Sequence, residues 1–202
     1  STRVRSSAAS DVYKRQQDLT PAPDTSMLSP AVSALAQEQQ EPAAQPLPEK
    51  WVCLTFDDGP SKTTPDVLSA LNAAGVHATF FVVATGYNGK YLPLLTEAVS
   101  AGHQIALHSA SHEYSDIYRS SDAYWEDIAL LKERIAPYVD AESIRYLRFP
   151  GGSTNTVSRR YGGKGLMKQL KAEVEQKGWQ WVDWNVCAED AAVSYTHLTL
   201  PT

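Results

Sequence analysis

Ala78-Thr79-Phe80-Phe81-Val82-Val83 is a continuous apolar run of strand length. A strand of this kind, without polar alternation, is expected where both faces are covered, as in a parallel sheet flanked by helices. The flanking segments agree with that reading. Before it, Thr63 or Thr64 caps a helix with Pro65 in its first turn, which runs to about Ala74 and stops at Gly75. After it, Tyr91 to Ala101 reads as a helix ended by Gly102, and Gln104 to Leu107 as a short strand. Ser120 or Ser121 caps a further helix to about Ile135, with apolar positions at Tyr124, Ile128, Leu131 and Ile135. Ile144 to Phe149 is a strand, Lys164 to Lys177 a helix ended by Gly178, and Gln180 to Val186 a strand. With Trp51 to Phe56 as the first strand, strands and helices alternate, which predicts a parallel α/β architecture, layered or barrel.

The chain has 202 residues, 43% of them hydrophobic and 20% charged, with a formal net charge of -5. The length suits one domain and a tail, or at most two small domains. The acidic balance argues against a nucleic-acid partner, which would require a basic field. No run of 18 apolar residues is present. Cys53 and Cys187 are too few for a disulfide framework, and their apolar flanks predict two buried thiols. Residues 1–16 and 193–202 resemble translations of a sequencing-library adaptor, one strand at each end, and are set aside from the fold. Residues 17–50 form a linker: Pro21, Pro23, Pro30, Pro42, Pro46 and Pro48 fall here, with Gln, Ala and Glu and almost no basic residue. Such a composition buries too little apolar surface to offset ordering and reads as an extended spacer. Residues 51–192 are the folded domain, and a signal or membrane anchor is expected upstream of the segment.

Chemistry in parallel α/β folds collects at the carboxyl ends of the strands. Asp57-Asp58-Gly59-Pro60 follows the first strand, His108 and His112 the third, and Arg148-Phe149-Pro150-Gly151-Gly152 the fourth; Asp183-Trp184-Asn185 lies on the fifth, followed by Glu189 and Asp190. Two imidazoles four residues apart can face one point, and with a carboxylate they make an open three-ligand site for a divalent ion. Zinc is the first expectation, while the same ligand set also suits Fe(II). Adjacent aspartates in an extended turn point apart, so that one can bind metal while the other stays free as a base. An ionised Asp beside a second Asp needs a cation, which the metal and Arg148 supply.

Taken together, Thr55-Phe56-Asp57-Asp58-Gly59-Pro60, His108-Ser109-Ala110-Ser111-His112 and Arg148-Phe149-Pro150-Gly151-Gly152 resemble the NodB-homology polysaccharide deacetylases, carbohydrate esterase family 4, in motif order and spacing. The stretch from Arg148 to Ser158 is most similar to bacterial members that act on peptidoglycan. The resemblance implies a distorted (β/α) barrel, truncated here before its last strands. It implies Asp57 as general base, Asp58, His108 and His112 as metal ligands, Arg148 as the residue that orients the base, and the Gly151 backbone N–H as oxyanion donor. Pro150, Gly152, Asn155, Tyr114 and Trp184 are the expected substrate-binding residues. The implied cofactor is one divalent ion, zinc first, with cobalt, manganese, nickel or iron as alternatives. The implied substrate is an acetylated cell-surface polysaccharide, met outside the cell, from which N-acetyl groups are hydrolysed.

Three positions depart from the family pattern. Gly151 stands where many members carry an aromatic. Cys187 stands where an Asp is usual, so the expected carboxylate partner of Arg148 passes to Asp183, Glu189 or Asp190. The Leu-x-His strand that carries the family's general acid is not found; His197, within the adaptor-like Tyr195-Thr196-His197-Leu198, mimics it and is not credited. The chain as it stands is therefore expected to bind metal and to deacetylate poorly. Cys187 and the missing last His are what a non-catalytic glycan-binding module with a vestigial site would show, whereas the intact Asp-Asp, His-His and Arg favour a hydrolase. His103 and His77 read as structural, Trp51, Trp125, Trp179 and Trp181 as packing residues, and Tyr87, Tyr114 and Tyr118 as candidates for sugar platforms in loops.

Overall fold

The computed structural model describes residues 52–187. The adaptor-like ends, the linker, Trp51, Glu189, Asp190 and His197 lie outside the described residues. Within them the order is β1 (Leu54–Gly59), α1 (Thr64–Ala74), β2 (Ala78–Val83), a 3-10 turn (Gly89–Tyr91), α2 (Leu94–Ser100), β3 (Gln104–Ser109), α3 (Tyr114–Ile117), α4 (Ser121–Ile135), β4 (Tyr146–Leu147), α5 (Val157–Gly162), α6 (Leu166–Gln176) and β5 (Gln180–Trp181). The five strands form one parallel sheet in sequence order. No described helix is long and apolar enough to cross a membrane.

The expected alternation is present, and β2 falls on Ala78–Val83 as its apolar run predicts. It is an interior strand, with β1 and β3 on either side, and Phe81 and Val82 are each only 1% exposed. The capping signals of α4 also hold: Ser120 accepts the Ala123 N–H at 3.1 Å, and Asp122 sits in the positive first turn. Its buried stripe runs through Tyr124, Ile128, Leu131 and Ile135, where burying each aliphatic side chain contributes about 2 kcal/mol. Leu166, Leu170 and Val174 repeat the pattern on α6. At the end of α1, Gly75 takes φ +64° and its N–H reaches back to Asn72 O, a turn that a side chain would strain.

Several expectations need correction. His108 lies on β3 and not after it, because β3 continues to Ser109. The strand runs expected at Ile144–Phe149 and Gln180–Val186 are only two residues each as regular ladder, although Gln180 N–H to Arg145 O and Val182 N–H to Leu147 O, both at 2.9 Å, carry the β4–β5 pairing slightly further. Pro150 lacks an N–H, and Gly151 and Gly152 take φ +78° and +81°, so the chain leaves the sheet there. The short helices α3 and α5 were not anticipated. Cys53 and Cys187 are exposed, not buried, because they flank β1 and β5 at the two edges of the described sheet. β1 is itself half-exposed, with Leu54 at 40%. Tyr118 is fully buried and donates to Pro150 O at 2.7 Å, so it is a core residue and not a platform. Trp125, Trp179 and Trp181 pack against the core as expected. So does His103, buried beside Phe80, whose Nδ1 accepts the Ala78 N–H at 3.3 Å.

Candidate metal centre and hydrolytic site

Two irregularities in the sheet build the site. Along β1, Asp57 pairs with Phe81 and Gly59 with Val82, so Asp58 is an extra residue, held at φ +64°. Along β3, Leu107 pairs with Val82 and Ser109 with Val83, so His108 is an extra residue as well. A bulge re-aims the side chain it carries and breaks the alternation of the strand. Adjacent aspartates consequently serve different partners: Asp57 faces Arg148, and Asp58 faces the two histidines.

Asp58 Oδ1 lies 3.4 Å from His108 Nε2 and 3.3 Å from His112 Nε2. One donor atom from each of the three side chains falls within 4.8 Å of the others. The His108 ring is fixed by a 2.7 Å hydrogen bond from Nδ1–H to Arg148 O, which leaves the Nε2 lone pair for an ion. Burial pushes the His108 pKa down, against the opposing pull of Asp57 and Asp58, and so favours the neutral ring that can ligate. Two imidazole nitrogens and one carboxylate oxygen suit zinc and other first-row divalent ions, and three ligands leave positions for water and substrate. The residues present therefore fit a metal.

Arg148 is 2% exposed and sits at the centre of a wider junction. Its Nη1 donates to Asp57 Oδ1 at 2.6 Å and to Thr55 Oγ1 at 3.0 Å; Nε donates to Val182 O at 2.8 Å, and Nη2 lies 3.5 Å from Asp183 O. The guanidinium also stacks 4.0 Å from the Phe81 ring centroid. The expectation that a carboxylate would replace the family's Asp is thus overturned for Asp183, which meets Arg148 through its backbone carbonyl. The Asp183 carboxylate instead accepts from the Ser153 N–H and hydroxyl. Backbone carbonyls are available at any sequence, so this partner leaves no signature in residue types.

The loop between the histidines rests on Asp127 of α4, which sequence reasoning missed. Its Oδ2 accepts from Ser109 Oγ at 2.6 Å and from Ala110 N–H at 2.8 Å, and its Oδ1 from Ser111 N–H at 2.9 Å. Ser109 Oγ in turn accepts the His112 N–H at 2.8 Å. His112 is held at φ +55°, a left-handed conformation uncommon outside glycine. The available signal was an acid beside Ile128, on the face that also carries Tyr124 and Leu131.

The expected substrate residues divide. Trp184 is 45% exposed and forms, with Gly151, Gly152, Thr154 and Asp183, the wall of a hollow of about 210 Å³. A Cβ on Gly152 would stand 3.1 Å from the Trp184 ring, so the glycine allows the indole its position. Tyr114 is half-buried beside His112, ring centroids 5.4 Å apart; burial and then the Asp58 charge raise its pKa and keep the hydroxyl protonated. Asn155 is committed to the loop itself, donating to Gly152 O at 2.7 Å and accepting from Ser158 N–H at 2.8 Å. Pro150 is buried and its carbonyl receives the Tyr118 hydroxyl. Tyr87 is 86% exposed in the loop after β2.

Comparison with known proteins finds relatives of one family. The profile of the family described as polysaccharide deacetylase matches residues 44–170. A peptidoglycan-N-acetylglucosamine deacetylase of Bacillus cereus is 31% identical over 142 residues, covering 70% of this chain and 47% of its own. A chitooligosaccharide deacetylase of a Bradyrhizobium species is 38% identical over 130 residues, covering 63% and 58%. The crystal structure of the catalytic domain of a peptidoglycan N-acetylglucosamine deacetylase from Eubacterium rectale superposes with a TM-score of 0.66 at 41% identity, over 70% of this chain and 63% of that one. The chain spans about half the length of the curated relatives it matches.

Proposed function

The chain belongs to the polysaccharide deacetylase family, and from that premise we propose that it carries out metal-dependent hydrolysis of N-acetyl groups on a cell-surface polysaccharide, peptidoglycan foremost. The observation that carries this reading is the convergence of Asp58, His108 and His112 on one point, with the Asp57–Arg148 pair beside it. Asp58, His108 and His112 would hold a divalent ion, zinc in the first instance. When bound, such an ion polarises the acetamide carbonyl and acidifies water.

The chain's own residues do the rest. Asp57, oriented by Arg148, takes a proton from the attacking water. The Gly151 N–H donates to the oxygen of the acetamide as negative charge gathers on it. The water oxygen bonds to the carbonyl carbon, the nitrogen takes up the proton that Asp57 accepted as the carbon–nitrogen bond breaks, and acetate and a sugar amine are released. Trp184 and Tyr114 supply side walls for the sugar ring. Residues 51–192 are the catalytic domain in this reading. Residues 17–50 are a spacer that lets it work outside the cell, with an anchor upstream.

The test is acetate release from N-acetylated peptidoglycan strands and from chito-oligosaccharides. Slow release is expected with added zinc or cobalt, because the general-acid strand is not found in this chain, and it should vanish on chelation and return on reloading. Glycan binding without acetate release, whichever divalent ion is supplied, would establish the glycan-binding module instead.

A further inference from the structure

We propose that Asp127 is the positioning residue of the metal centre: it sets the affinity of the site for its ion by fixing the chain between the two histidine ligands. This rests on the reading that Asp58, His108 and His112 bind the metal. Residues 109–111 are fastened to one carboxylate at three points, all between 2.6 and 2.9 Å. The third residue of the site, His112, is reached by relay. The Ser109 hydroxyl donates its hydrogen bond to Asp127, so its oxygen is turned to accept the His112 N–H at 2.8 Å. That bond holds His112 in its left-handed conformation and carries Nε2 to 3.3 Å from Asp58 Oδ1.

Asp127 comes from the long helix α4, whose other inward residues, Ile128, Leu131 and Ile135, are 2% exposed or less. The loop is therefore tied to the rigid core and not merely to itself. A 9% exposed carboxylate is an expensive group to bury, and here three donors satisfy it. An amide cannot replace it. Asparagine has one acceptor oxygen, and its NH₂ group would confront an N–H or O–H donor on the other side. Groups that orient metal ligands in this way typically change metal affinity 10- to 100-fold, by about that factor, when removed.

The experiment measures zinc and cobalt dissociation constants of the full chain by competition with a chromophoric chelator, the visible spectrum of the cobalt-loaded protein, and the urea midpoint. The variants are Asp127→Asn, Ser109→Ala and Leu131→Ala. Asp127→Asn is expected to bind about 10- to 100-fold more weakly with an altered cobalt spectrum. Ser109→Ala, which cuts only the relay, is expected to weaken binding by up to about tenfold. Leu131→Ala should lose stability yet keep the parental affinity and spectrum. Should Asp127→Asn fail to fold, Ser109→Ala decides. Parental affinity and spectrum in both polar variants would overturn the proposal, as would an equal loss in Leu131→Ala. A parent chain that bound neither ion would overturn the metal-centre reading, and the role of Asp127 with it.

Discussion

Replacing Asp57 with Asn is expected to lower acetate release by about 10²- to 10⁴-fold, the range typical of a lost general base. At about 1.36 kcal/mol per decade this is roughly 3 to 5 kcal/mol of barrier. Asparagine keeps the size of the side chain and an oxygen for Arg148, but it cannot take a proton. Metal affinity should stay at the parental value, because the bulge at Asp58 turns the neighbouring carboxylate, not this one, toward His108 and His112. Asp58→Asn should do the reverse at first, weakening metal binding, with the rate falling as a consequence. Measuring both constants in both variants assigns the two aspartates. If Asp57→Asn lost the metal while Asp58→Asn kept it, the assignment would have to be exchanged.

Arg148→Lys should lower stability by about 1–3 kcal/mol, the cost of a buried acceptor left without its donor. It should also lower the rate while leaving the metal ligands in place. Charge is conserved, so the loss isolates shape. The guanidinium meets a carboxylate, a hydroxyl and two carbonyls in different directions, from β1 on one side and from the segment after β5 on the other. An ammonium is a single point on a flexible stem and cannot span them. Buried acceptors left unpaired cost about 1–3 kcal/mol each. The carboxylate of Asp57 is 30% exposed, which lets water offset part of the loss there. Urea unfolding followed by tryptophan fluorescence checks the first expectation and steady-state acetate release the second. A variant within about 0.5 kcal/mol of the parent would show that Arg148 does not hold the two sides of the sheet together.

What could be read from the sequence was local. The apolar run at Ala78–Val83, the Pro65 and Gly75 signals around α1 and the Ser120 cap of α4 each depend on residues close in sequence, and each is found where it was expected. The candidate metal ligands were legible because they combine rare residue types at short spacing. The illegible features depend on what lies across the fold. Nothing in the order of residues marks Asp58 and His108 as the extra residues of two bulges, since a bulge is defined by the register of the neighbouring strand. The partners of Asp127 lie in a loop from another part of the chain, which the order of residues does not mark. Cys53 has apolar neighbours in sequence but stands beside an edge strand, and Tyr118 looks like a loop residue although it is enclosed by Tyr114, Tyr124 and Pro150.

The left-handed backbone at Asp58 places stability and function in opposition at a single residue. A non-glycine residue in that conformation is disfavoured by about 1 kcal/mol, and its carboxylate adjoins a second one in Asp57. Glycine at this position would relieve both, so Asp58→Gly should melt at a higher temperature than the parent when both are stripped of metal, and at a lower one when zinc is in excess, since only the parent gains from binding. A screen for heat resistance in chelating buffer would therefore select against the site, and the same screen in the presence of zinc would preserve it.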